Sequence, residues 1–417
     1  MNLYFVYLHK TSFKVMIAEI KFKNILSFRD ETVFSFEADK SKEMESYHVV
    51  EVASGIRLLK LAVVYGANAS GKSNFIKICD FIKKFLIRVP SNKGEETGII
   101  PFLMDKDCSN QTSDLSISFY VIEKGQATKF VYSLSLTRNH IANETLVYYP
   151  SQQPSTVFER TIENGVSAIK FGTKIKLTAA AKEEISLKCL SNMSVFAAYM
   201  QVNVNVPEIE SILSYFKEQI MPAITPSLPL DRYAERHIKE EKAKEYILRY
   251  LQEADFNITD ISAKEKDTSA GVVQDTIFQH KVKDTQGKES YYEFPEVFES
   301  QGTIRTMGLA GCIQEILANN AFLAVDEIES SLHPKLIEYI IERFLKESDK
   351  AQLLLTTHYD GLLAEEDLLR KDNVWFTEKN SDGATILYPL TDFKGLNRIS
   401  SLQKAYKFGK FGAVPNL

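Results

Sequence analysis

The segment Gly66-Ala67-Asn68-Ala69-Ser70-Gly71-Lys72-Ser73 fits the pattern G-x-x-x-x-G-K-[ST]. Glycines at both ends let a backbone wrap an anion without Cβ clashes, so successive N–H groups and the start of a following helix point at phosphate oxygens. In that setting Lys72 is expected to reach the β- and γ-phosphates of a nucleotide, and the Ser73 hydroxyl to ligate Mg2+. Further along, Ala321-Phe322-Leu323-Ala324-Val325-Asp326-Glu327 is a short apolar run that ends in two acids. Alone it carries little, because carboxylates follow many strands. Beside a phosphate loop, however, Asp326 can hold Mg2+ through water while Glu327 polarises an attacking water as general base. His358 closes the apolar run QLLLTTH and is placed to meet a γ-phosphate. Ser300-Gln301-Gly302-Thr303 opens a helical segment whose N-terminus offers a second anion site, although a serine there is, taken alone, more often a plain helix cap.

The elements that must hold these residues can be read from periodicity. Leu59 to Tyr65 (LKLAVVY) is continuously apolar, as in a strand covered on both faces. Phe75, Ile76, Cys79, Ile82 and Leu86 then share one helical face, giving the order buried strand, glycine-rich loop, helix. Residues 17 to 36 alternate as a hairpin with its turn around Ser27 to Glu31. Between about 100 and 204, segments such as LSISFYVIE, KFVYSLSLT and TVFER read as antiparallel strands. Helix-period sequence fills PEIESILSYFKEQIMPAI and RYAERHIKEEKAKEYILRYLQEA, split by TPSLPL. A hairpin with Gln286-Gly287 as its turn comes next, and from Phe298 helices and strands alternate. The expectation is therefore an α/β fold with four parts: an N-terminal extension at 1–15, a first part at 16–205 with the glycine-rich loop and a β subdomain, a helical insertion at 206–256, and a second part at 257–417.

Composition narrows the classes further. In 417 residues, 44% are apolar and 25% charged, which excludes extended disorder and collagen-like sequence. With 50 Lys and Arg against 55 Asp and Glu, the net charge of −5 excludes a polycation that coats nucleic acid, so any such contact is a local patch. Cys79, Cys108, Cys189 and Cys312 are far apart, without a C-x-x-C pair, which suits a reducing, cytoplasmic setting rather than a zinc or disulfide framework. No apolar run has the length of a membrane helix.

The order of glycine-rich loop, serine–glycine signature, Asp-Glu strand and His strand resembles the ATP-binding cassette (ABC) ATPases. Within them the chain is similar to the branch holding SMC, RecF and the OLD-type and abortive-infection ATPases, known broadly as AAA-type ATP-binding proteins. The opening IKFKNILSFRDETVFSF, the loop version GANASGKSN and the ending KAYKFGKFGAVPNL carry that likeness. It implies a nucleotide site made by Gly66, Asn68, Ala69, Ser70, Gly71, Lys72, Ser73 and Asn74, with ATP and Mg2+ as its ligands. Ser300 and Gly302 match the signature, Ser331 and Leu332 the loop that crosses the dimer interface, and His358 the switch histidine. Phe28 and Arg29 fall where this branch places residues near the base. The signature reads SQGT rather than the fuller SGGQ-type sequence, and the Mg2+-sensing glutamine has no assigned counterpart beyond the candidate Gln111.

What the resemblance implies is a homodimer in which the signature serine of one copy caps the γ-phosphate held by the other, so that ATP glues the pair and hydrolysis releases it. Too little heptad pattern separates Lys72 from Asp326 for SMC-type arms, and too few residues follow His358 for the nuclease domain of OLD proteins. The resemblance at both ends of the chain, together with the lack of a second catalytic domain, implies a sensor or switch in bacterial, abortive-infection-like antiphage defence whose effector, nuclease or toxin-like, is a separate polypeptide. A RecF-like ATPase that clamps DNA is the alternative, with Arg232, Arg236, Lys239, Lys242, Lys244 and Arg249 as its phosphate-contacting face. The nucleotide-binding subunit of a transporter fits less well, given the inserted lobes.

Overall fold

The computed structural model describes residues 13–254, 257–268 and 271–415. β1 (Phe13–Lys23) and β2 (Thr32–Ser35) form the expected N-terminal hairpin, followed by the helical turn α1 (Glu45–His48) and a second hairpin, β3 (Val49–Ala53) with β4 (Ile56–Leu59). β5 (Leu61–Gly66) leads through the glycine-rich loop into α2 (Lys72–Ile87). An antiparallel meander follows: β6 (Ser113–Glu123), β7 (Gln126–Leu136), β8 (Ile141–Tyr149), β9 (Ser155–Glu163) and β10 (Val166–Phe171). Helices α3 (Ala179–Lys188), α4 (Val195–Tyr199), α5 (Pro207–Ser214), α6 (Asp231–His237) and α7 (Glu241–Glu253) precede β11 (Ile258–Thr268), β12 (Gly271–Lys283) and β13 (Glu289–Pro295). The chain then runs through α8 (Gln301–Asn319), β14 (Phe322–Val325), α9 (Pro334–Glu347), β15 (Gln352–Thr357), β16 (Val374–Lys379), β17 (Thr385–Pro389) and α10 (Leu402–Lys407).

The residues divide into two compact units. The first holds residues up to 224 together with 319–326 and 348–417. Its five-stranded sheet has the order β14-β15-β5-β16-β17, parallel except for the last pair, and a seven-stranded antiparallel sheet has the order β10-β9-β8-β7-β6-β1-β2. Every residue of β5, β14 and β15 is buried, as continuously apolar parallel strands require. The second unit comprises 225–318 and 327–347. In it α8 meets α6 and α7 at small residues: a Cβ on Gly308 would come within 2.3 Å of Leu230, and one on Gly311 within 3.6 Å of Ile247. The three-stranded sheet β11-β12-β13 completes this unit.

This is the α/β class read from the sequence, with a mixed sheet, an antiparallel subdomain and helical segments. Several boundaries differ. β1 begins at Phe13, so Phe13 to Val15 belong to a strand rather than to the extension, and the remainder of that extension lies outside the described residues. Residues 179–199, expected as strand, are helices started by Thr178 and Ser194, whose hydroxyls accept from Ala181 and Ala197 N–H. The insertion read over 206–256 divides near Ile224. Ile220 and Ile224 bridge in parallel to Phe322 and Val325, which ties 206–224 to the first unit because those residues extend its central sheet. Helix α5 and the π-helical turn Tyr215–Gln219 end there, before the IMPAI residues. All four cysteines are buried and unpaired, and among the described residues no helix is long and apolar enough to cross a membrane.

One buried ion pair locks the antiparallel subdomain. Arg160 and Glu144, both 0% exposed, meet at 3.3 Å. Arg160 also donates to the carbonyls of Met193, Leu190 and Ser191, while Glu144 accepts from Tyr132 Oη and from Val195 N–H. Burial pushes the Glu144 carboxyl above its usual range, against the pull of Arg160. Removing one partner strands the other charge, so Arg160→Ala should cost about 3–5 kcal/mol, read as a lowered urea midpoint, and adding Glu144→Ala should restore part of it. An unshifted midpoint in the single variant would count against this lock.

Candidate functional site

The loop after β5 takes its shape from close backbone approaches. A Cβ at Gly66 would lie 2.4 Å from Thr377 Oγ1 and 2.5 Å from Ser70 Oγ, and one at Gly71, whose φ is +117°, would lie 2.3 Å from Thr385 Oγ1. Only glycine meets both demands. Ala69 also takes a left-handed conformation, at φ 62°, and sits with Asn68 on the exposed side of the loop. Ser70 is buried, its Oγ 2.7 Å from Thr377 Oγ1, and its carbonyl accepts from Thr385 Oγ1 at 2.9 Å. No side chain caps the start of α2 at Gly71, which leaves its first turn as the positively polarised end that an anion would meet.

Lys72 opens α2 and is buried, donating to the carbonyls of Gly66 (2.8 Å) and Ala67 (3.1 Å). The ammonium is thus held over the loop. Ser73 is half-buried beside it, and Asn74 donates to Ser27 Oγ at 2.8 Å. Ser27, from the N-terminal hairpin turn, also lies 2.8 Å from Thr385 Oγ1 and accepts from Thr385 N–H at 2.7 Å. Residues from three distant parts of the sequence are tied to one loop.

Register then sets the acids. β14, β15 and β5 run parallel, with Val325 opposite Leu355 and Thr357 opposite Tyr65, so Asp326, Thr357 and Gly66 end adjacent strands on one sheet edge. Asp326 is buried and accepts from Thr356 Oγ1 at 2.6 Å. His358 follows Thr357 and is exposed. Among the described residues no three His, Cys, Asp or Glu side chains cluster as a metal cage. A hydroxyl and one oriented carboxylate suit Mg2+, which takes oxygen ligands and keeps waters and substrate phosphates for the rest. Ser73 and Asp326 are the residues that would hold it.

The second unit carries the remaining candidates. Ser300 is exposed and caps α8, its Oγ accepting from Thr303 N–H at 3.0 Å and lying 2.8 Å from Thr303 Oγ1. Gly302 faces the Ser331 carbonyl, 3.1 Å from where a Cβ would stand, so the signature residues and the loop after the acids meet within one unit. Glu327 directly follows Asp326 in sequence and opens a turn closed by Ser330 N–H on its carbonyl. Its φ is 47° and that of Ser331 is 62°, strained values for side-chain-bearing residues that cost of order 1–3 kcal/mol each. Leu332 is buried.

Other expectations fare differently. Phe28 is fully buried, packed edge-on against Phe22 at 4.9 Å, so it is a core residue and not a base contact. Arg29 is half-buried and pairs with Asp30 and, at 3.0 Å, with Asp382 of the β16–β17 turn; these carboxylates raise its pKa. Gln111 is exposed at the start of β6. In the insertion, Lys244 is paired with Asp260 at 2.8 Å and Arg249 with Glu347 at 3.9 Å, which weakens that stretch as a phosphate-contacting face. The residues missed by sequence reasoning are Ser27, Thr356, Thr377 and Thr385. Thr356 stood in the TTH motif, next to the histidine; the other three had no spacing signal.

A strand, glycine-rich loop and helix on a parallel sheet, with an oriented acid at the end of the strand two places away, define a P-loop nucleotide-binding domain. The family described as "AAA domain, putative AbiEii toxin, Type IV TA system" matches residues 61–364, most of the chain, and the protein belongs to it. No curated protein matches the chain in sequence. Among solved structures, the SMC head domain from Thermotoga maritima is similar at 13% identity, covering 90% of this chain and 98% of that one with a TM-score of 0.42. An SMC head bound to the C-terminal winged-helix domain of ScpA is similar at 15% identity over 94% and 99% (TM-score 0.43). A third, with an extended coiled coil bound to the C-terminal domain of ScpA from Pyrococcus furiosus, matches at 15% over 95% and 99% (TM-score 0.39).

Because Gly71 is constrained by both φ and contact, Gly71→Ala should abolish nucleotide binding in a fluorescent-ATP titration. Thr385→Ser, which keeps the hydroxyl, should bind within about threefold of the unaltered protein, since one retained hydrogen bond is worth about 1 kcal/mol.

Proposed function

We propose that this protein is an ATP-hydrolysing switch that dimerises around its nucleotide and signals to a separate effector, nuclease or toxin-like, in a bacterial abortive-infection-like defence system of the cytoplasm. The reading rests most on one observation: a buried Asp326 oriented by Thr356 stands at the sheet edge that also carries the glycine-rich loop, with a second acid next in the chain. Gly66, Asn68, Ala69, Ser70, Gly71 and Asn74 shape and brace the loop, and Lys72 neutralises β- and γ-phosphate charge. Mg2+, held by Ser73 and Asp326, would supply charge neutralisation at the phosphates. Glu327 takes a proton from the attacking water, and His358 contacts the γ-phosphate side of that water.

The position of Ser300 supports dimerisation. Ser300 is exposed on the second unit, with only a local cap to satisfy, so its O–H can donate to a terminal phosphate presented by a second copy. ATP then bridges two copies, and hydrolysis removes the bridge. Membership of the family with the AbiEii description supports the defence role.

Glu327→Gln should lower ATP turnover by about 100-fold or more while ATP binding persists, and should accumulate an ATP-dependent dimer in light scattering. Lys72→Ala should lose ATP binding and remain monomeric. Turnover at the normal rate in Glu327→Gln would remove Glu327 from the role of base.

A further inference from the structure

From Phe393 to the end, the sequence contains Lys394, Arg398, Lys404, Lys407 and Lys410 and no acidic side chain, in a chain whose net charge is −5. All five cations are exposed. Lys404 and Lys407 stand three residues apart on α10, so they share a face. Just beyond, Gly409 at φ 71° turns the chain back and Lys410 N–H reaches the Ala405 carbonyl, which brings the third lysine to the same helix end. Between them Phe408 is 87% exposed. It is not exposed for want of a core. The same segment buries Tyr406 and Phe411, both stacked on Phe376 at 5.6 and 5.7 Å, and Phe393 packs on Phe411 at 5.1 Å. Asp360 pairs with Lys407 at 3.1 Å, Glu378 is engaged by Ala413 N–H, and exposed Asp392 directly precedes the segment.

We infer that this C-terminal surface binds single-stranded nucleic acid, with Lys404, Lys407, Lys410 and the preceding Arg398 on phosphates and Phe408 stacked on an unpaired base. Exposed cations around an exposed ring are the parts such binding uses, and only unpaired bases present an open π-face. A lipid surface suits it less: α10 is six residues long and its apolar Tyr406 is turned into the core, so no apolar helix face is left for a bilayer. The mounting matters for a switch. Tyr406 lies 5.8 Å from Tyr65, the residue before Gly66, and Asp360, paired with Lys407, is two residues after His358. The binding itself does not rest on the ATPase reading.

The test is anisotropy of a labelled oligonucleotide of about 20 nucleotides, as DNA and as RNA, with the full chain and without ATP. Binding should weaken with salt at a log–log slope of about −2 to −3, the value for three or four phosphate contacts on a single strand. Lys404→Glu with Lys410→Glu should weaken it at least about tenfold, and Phe408→Ala by about tenfold with the slope unchanged, while Phe408→Trp binds as before. Each variant should keep its unfolding midpoint. Lys72→Ala should bind the oligonucleotide normally, which separates this inference from the fate of the nucleotide site. No binding at about 50 mM salt would overturn it. So would full binding by the charge-reversed variant, or preference for anionic phosphatidylglycerol vesicles or polyglutamate over the oligonucleotide.

Discussion

Two threonine hydroxyls standing where Cβ atoms would otherwise go are the constraint on which the site depends. Thr377 and Thr385, on the antiparallel hairpin β16–β17, press against Gly66 and Gly71 and bond to Ser70. A loop of eight residues has many backbone conformations, and fixing each residue costs roughly 1–2 kcal/mol of entropy. Contacts from a hairpin more than 300 residues away in sequence select one of them before any ligand arrives. The hairpin is itself held because β16 pairs in parallel with β5, placing Thr377 opposite Gly66. Sheet register, rather than local sequence, therefore preorganises the phosphate site.

The same sheet explains why the two acids differ. Asp326 ends a fully buried strand, takes a hydrogen bond from Thr356 and belongs to the first compact unit. Glu327, one peptide later, belongs to the second unit and holds a left-handed backbone. A strained residue persists only where its surroundings over-determine it, and this one stands at the covalent junction of two bodies. The turn it starts runs to Ser331, whose carbonyl packs on Gly302 at the beginning of α8. Glu327, Ser331 and the start of α8 thus belong to one unit, whereas Gly66, Asp326 and His358 belong to the other.

Much of this was legible in the sequence, for identifiable reasons. The glycine-rich loop announces itself because phosphate binding demands fixed residue types at fixed spacing, and β5, β14 and β15 because strands buried on both faces are apolar throughout. The helix cap at Ser300 was legible as a cap. What escaped depends on partners distant in sequence. Phe28 falls, by resemblance, near the nucleotide base, yet Phe22 receives it into the core. Ile220 and Ile224 sit in a helix-period pattern, but pairing with β14 outweighs the local preference. Ser27, Thr377 and Thr385 are short polar residues in strands and turns, indistinguishable by type from dozens that do nothing. For α3 a signal existed in Thr178 followed by three alanines, and the surrounding strand pattern masked it.

The C-terminal segment joins these themes. Tyr406, Phe376 and Phe411 form a ring stack whose other neighbour is Tyr65, at the end of the very strand that launches the loop. Aromatic pairs of this kind add about 0.5–1.5 kcal/mol each beyond the area they bury. Tyr406 and Phe411 are consequently part of the foundation under Gly66. A ligand that bears on α10 acts on a helix already braced against that strand and paired to the turn after His358. Any coupling between the C-terminal surface and the phosphate site needs no long relay, because a single packed layer of rings separates them.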